Sequence, residues 1–68
     1  MDPGLQELIA AGGSDEEVAV IVRLHPGSSP PPGLRLVTRF GDVATGRAVR
    51  GALAAIHDHA SVASLKAP

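Results

Sequence analysis

The stretch RLVTRFGDVATGRAVRGALAAIHDHASVASLKAP, residues 35–68, decides the fold because its hydrophobic period changes twice. Leu34, Leu36 and Phe40 alternate with Arg35, Val37 and Arg39, the two-residue period of a strand with one apolar and one mixed basic face. Gly41-Asp42 then reads as a tight turn into a third strand over 43–49, where Val43, Thr45, Arg47 and Val49 alternate with Ala44, Gly46 and Ala48. A row of small residues lets something approach the sheet closely. From Arg50 the spacing becomes helical: Ala52, Leu53, Ile56 and Ala60 share one stripe, and His57-Asp58-His59 finish the helix. Residues 61–66, SVASLK, return to an extended pattern and make a final short strand.

Upstream, PGSSPPPG over 26–33 cannot be a central strand, because its prolines lack the N–H donors of a ladder. An extended link of this length reaches roughly 25 Å at about 3.1 Å per residue, enough to run back along a strand of about 17 Å. The strands on either side of it can therefore lie parallel without a crossover helix, with the third strand between or beside them. Before the link, VAVIVRLH over 18–25 is apolar on both alternations, as expected of a central strand buried on both faces. Asp2 followed by Pro3 is an N-cap with proline at the first helical position. Leu5, Leu8 and Ile9 recur at helical spacing until Gly12-Gly13.

The order is helix (1–13), first strand (18–25), proline-rich link (26–33), then hairpin, helix and final strand (34–68), all in one domain of 68 residues. It predicts an α+β, ferredoxin-like (split βαβ) sandwich: a four-stranded antiparallel sheet with two helices, the first helix preceding the first strand. That helix is expected on the sheet, where a crossover helix is missing.

A chain this short buries only about 60% of the surface its unfolded form exposes. With no cysteine there is neither a disulfide nor a thiolate metal site to brace the core. The one aromatic residue, Phe40, is expected to face that core, which is otherwise Val, Leu, Ile and Ala. Net charge is −1, which by itself implies neither nucleic acid nor membrane as a target. No apolar run is long enough to span a bilayer, and the first residues lack the basic and apolar regions of a secretory signal. A soluble chain, cytoplasmic by default, is the expectation.

In VAVIVRL and the 35–68 stretch the chain resembles the N-terminal prodomain (inhibitor I9-like) of subtilisin-like (S8 family) serine peptidases. The matching pieces are Val20-Ile21-Val22, the turn at 40–44, the helix Gly51-Ala52-Leu53-Ala54-Ala55-Ile56 and the strand Val62-Ala63-Ser64-Leu65-Lys66. The resemblance implies a non-catalytic module that binds, inhibits and assists the folding of a subtilisin-like peptidase domain, in cis or in trans. It further implies a docking face on the open side of the sheet, made of Val37, Asp42, Ala44, Gly46 and Ala48. An inhibitory tail would be Ser64, Leu65, Lys66, Ala67 and Pro68, laid in the enzyme's cleft as an added strand. Asp42, at the hairpin tip, either accepts hydrogen bonds from a partner helix terminus or merely serves the turn. The alternative is a stand-alone protein-interaction or self-associating domain without a peptidase partner.

Other classes find less in the residues. No G-x-S-x-G elbow occurs, and so short a chain offers little concave surface for catalysis. On a helix, His57 and His59 point about 200° apart and cannot share one ion unless the helix has already ended. They read as helix-terminal histidines, able to make partner release pH-dependent. No cofactor or metal is implied. Arg23, Arg35, Arg39 and Arg47 could form a basic stripe, but an RNA-binding sheet needs stacking aromatics, and only Phe40 is available. No Gly-rich phosphate cradle points to a small ligand.

Overall fold

A computed structural model describes residues 1–68. In chain order the elements are α1 (Pro3–Ala10), β1 (Glu17–Leu24), β2 (Arg35–Phe40), β3 (Val43–Val49), a 3₁₀ turn (Arg50–Ala52) running into α2 (Leu53–Asp58), and β4 (Val62–Lys66). Both helix signals at the N-terminus act as expected. The Asp2 side chain accepts a hydrogen bond from the Leu5 amide at 2.9 Å, and Pro3 occupies the first turn, where no N–H is needed. The helix then stops at Ala10, ahead of Gly12-Gly13.

The four strands form one sheet in the order β2-β3-β1-β4, and every neighbouring pair is antiparallel. Because β3 is antiparallel to both β1 and β2, those two run parallel with β3 between them. The 26–33 link makes this return without a helix. It turns at Gly27 (φ 77°) and again at Gly33 (φ 87°), backbone angles that L side chains rarely adopt. This is the ferredoxin-like arrangement, with a proline-rich link where a crossover helix would stand.

Both helices cover the same face. Val20, Val22 and Leu24 of β1, Ala44 and Ala48 of β3, and Val62 and Leu65 of β4 pack with Leu5, Leu34, Leu53 and Ile56 into a single core. Helix α1 buries Leu5 completely, with Leu8 and Ile9 half-buried beside it. Arg50 ties α1 down. Its Nε donates to the Leu8 carbonyl at 2.7 Å, and its Nη1 to the Gly13 carbonyl at 3.4 Å and the Glu16 carboxylate at 2.8 Å.

Three expectations are corrected. β1 is buried on one face only: Val20, Val22 and Leu24 point inward, whereas Glu17, Ala19, Ile21 and Arg23 are exposed, since no layer covers the other side. Phe40 does not face the core; it is 74% exposed. The cause is a bulge. The β2–β3 register shifts between Leu36 and Thr38, so Val37 is an extra residue and every side chain after it changes face. The second helix is also shorter than expected: it ends at Asp58, and Ala60 is exposed in the turn beyond.

Candidate functional site

The uncovered face of the sheet follows from the register, because residues directly opposite on neighbouring strands share a face. One row across the sheet is Phe40, Val43, Arg23 and Ser64, and the next is Thr38, Thr45, Ile21 and Lys66. Further along, Arg35, Arg47 and Ala19 stand abreast, with Glu17 beside Val49 at the end. Apolar side chains gather at the hairpin end. Phe40 is open to solvent, Ile21 is 37% exposed and Val43 lies half-buried between them. Ile21, Arg23, Val43, Ser64 and Lys66 line a shallow depression of about 170 Å³.

At the other end Glu17 sits between two guanidinium groups. Its Oε1 accepts from Arg47 Nε at 2.6 Å and from Arg35 Nη2 at 3.0 Å. The Arg47 hydrogen bond, aided by the charges of Arg35 and Arg47 and opposed by some desolvation, holds this carboxyl below the usual glutamate range. The triad spans β1, β2 and β3 and leaves a net positive charge behind.

The expected docking residues divide. Val37 is 63% exposed at the bulge, and Asp42 is exposed at the hairpin tip. Asp42 ties the hairpin tip to β1: its carbonyl accepts from the Leu24 amide at 2.9 Å and its carboxylate lies 3.8 Å from Arg23 Nε. Ala44, Gly46 and Ala48 are buried on the covered face and are not part of any open surface. Their small size admits the chain's own groups. A Cβ on Gly46 would lie 2.9 Å from the Arg35 carbonyl oxygen and 3.0 Å from Leu34 Cδ1.

The expected tail is also mostly strand. Ser64, Leu65 and Lys66 belong to β4, where they pair with Arg23, Val22 and Ile21, and Leu65 is in the core. Only Ala67, half-buried, and the exposed Pro68 come after β4. β4 carries a bulge of its own, since its register against β1 shifts between Arg23 and Leu24. That shift lets both Val62 and Leu65 face inward.

The two histidines engage different neighbours: His57 Nδ1 lies 2.9 Å from Asp58 Oδ1, and His59 Nδ1 lies 2.8 Å from Ser61 Oγ. No group of three or more His, Cys, Asp or Glu converges to hold a metal ion. No helix is long and apolar enough to cross a membrane.

Sequence reasoning missed Ile21, Val43 and Phe40 as surface residues. The signal for Ile21 was present, because it shares parity with Glu17 and Arg23, and charged residues mark the wet side of a strand. Comparison with family models, with curated proteins and with solved structures finds no match.

Proposed function

We propose that this domain is a non-catalytic binding module that docks on a subtilisin-like serine peptidase domain through its open sheet face, in the manner of an inhibitory and folding-assisting prodomain. The observation that carries the reading is the apolar cluster of exposed Phe40 and Ile21 with half-buried Val43 between them, which leaves the chain's one aromatic side chain in solvent. An uncovered large apolar side chain on a regular surface is what a protein partner buries, and full burial of such a side chain contributes about 1.5–3 kcal/mol. The choice of a peptidase as partner comes from the sequence resemblance alone; the open sheet face and two edge strands supply a surface on which any protein could dock. A surface that binds the folded peptidase better than its unfolded chain also stabilises that peptidase by mass action.

The test is titration of the domain against a subtilisin-like peptidase domain, with inhibition and calorimetry as readouts. Phe40→Ser should abolish inhibition while leaving unfolding free energy within about 0.5 kcal/mol, because the side chain is exposed in the free domain. No binding by the unaltered domain, together with concentration-dependent dimers in sedimentation, would replace this reading with self-association through the same face.

A further inference from the structure

Charge on this molecule is sorted by face. The chain has a net charge of −1, yet the open sheet face presents Arg23, Arg35, Arg47 and Lys66 against Glu17 alone. The carboxylates of Asp2, Glu7, Asp15, Glu16 and Asp58 lie in the helices and turns away from it, and Glu16 is taken up by Arg50. Asp42 stands at the rim, its nearest oxygen 3.8 Å from an Arg23 side chain that remains 59% exposed. Lys66 makes no ion pair, the ion pairs of the fold being those of Arg23, Arg35, Arg47, Arg50 and His57. Arg23 and Lys66 flank one depression, which Ser64 supplies with a hydroxyl and Ile21 and Val43 with an apolar wall.

From this juxtaposition we infer that the open face receives an anionic protein surface, and that the depression between Arg23 and Lys66 seats a carboxylate side chain of the partner beside the residues that cover Phe40. The inference rests on the docking reading above and names the chemistry of the peptidase surface. Two strand cations on either side of a hydroxyl suit a carboxylate, and the flanking apolar side chains lower the local dielectric around it. Nucleic acid fits less well. Successive bases need several stacking rings, whereas this face has one, and a phosphate chain crossing the sheet would meet Glu17 between Arg35 and Arg47.

Calorimetry against a subtilisin-like peptidase domain should show affinity falling about tenfold or more between about 50 and about 300 mM NaCl, as exposed charge pairs are screened. The double variant Arg23→Glu with Lys66→Glu should lose about a hundredfold at low salt, with its far-UV circular dichroism unchanged. In parallel, an NMR titration with a capped hexaglutamate peptide should shift the amides of Ile21, Arg23, Ser64 and Lys66, and hexalysine should not. Binding that ignores salt and survives the double variant, but is still lost in Phe40→Ser, overturns the inference and leaves the docking reading intact. Hexaglutamate shifts without peptidase binding at any salt would sink the docking reading and keep the anionic seat. Tighter binding of an oligouridylate than of hexaglutamate would overturn the inference in favour of nucleic acid.

Discussion

Leu5→Ala tests whether the helix that precedes the sheet is part of the domain's core or an addition to it. Leu5 is fully buried and packs in the same cluster as Val20, Val22, Leu24 and Leu65. Truncation of such a leucine costs about 2–5 kcal/mol, the lost transfer energy plus the cavity left behind. A domain of this length holds a total of about 3–10 kcal/mol on the usual per-residue scale, so the substitution removes a large part of it. Lacking Trp and Tyr, the chain offers no useful intrinsic fluorescence, and urea unfolding is best followed by far-UV circular dichroism. With a slope of about 1 kcal/mol per molar urea for so small a chain, the midpoint should fall by about 2–5 M. Exposed Glu7 on the same helix is the control, and Glu7→Ala should stay within about 0.5 kcal/mol. A midpoint shift in Leu5→Ala no larger than that of Glu7→Ala would show that α1 contributes nothing to the core and would refute the packing of Leu5 against the sheet.

Arg50→Met keeps the length of the side chain but strips the Leu8 and Gly13 carbonyls of their donor; it should destabilise by about 2–3 kcal/mol in urea titrations. Glu17 has a lowered carboxyl pKa in the folded state, so its contribution is present above the unfolded glutamate range and is lost as pH falls through the lowered value. Thermal melts of the unaltered domain should therefore decline in that acid window more steeply than those of Glu17→Gln, and added salt should shrink the difference. Deleting Ala67 and Pro68 should leave the melting temperature nearly unchanged, whereas deleting residues 64–68 removes Leu65 and three partners of β1 and should leave the domain unfolded by circular dichroism.

Most of the architecture is legible in the sequence because each element announces itself by a local rule. Asp2-Pro3 starts a helix, Gly41-Asp42 closes a hairpin at a positive φ of 62°, and the prolines of 26–33 prevent a central strand while allowing the parallel return. What the sequence hides is face. The bulge at Val37 is one residue of register with no special residue type to mark it, and it sends Phe40 outward against the simple alternation. The row Ala44, Gly46, Ala48 was legible as a site of close approach, but not what approaches. The structure shows that it is the chain's own Leu34 and the Arg35 backbone at Gly46. Arg50 is hidden for a related reason: its partners are backbone carbonyls and a glutamate 34 to 42 residues away, and no spacing rule reaches that far.

The placement of β4 joins the two parts of the proposed interface. As an edge strand it puts Ser64 and Lys66 on the open face, in the same rows as Arg23 and Ile21, while Leu65 anchors it from beneath. It runs antiparallel to β1, so Ala67 and Pro68 are carried toward the beginning of β1, away from the hairpin tip where Asp42 meets Leu24. The row from Phe40 to Ser64 crosses three strand spacings, about 14 Å at about 4.8 Å each. From Ser64 to Pro68 the extended chain advances about 13 Å further along the strand direction. A partner seated over Phe40 thus meets the outgoing chain within about 20 Å of the apolar cluster, with no flexible link between the two contacts. Because residues 64–66 are already ordered by the ladder, extending β4 into a partner's cleft would require ordering the backbone of few additional residues, at about 1–2 kcal/mol for each. The same ladder ties the proposed contact to the fold: Ser64 and Lys66, which would face a partner, flank Leu65, which closes the core from beneath.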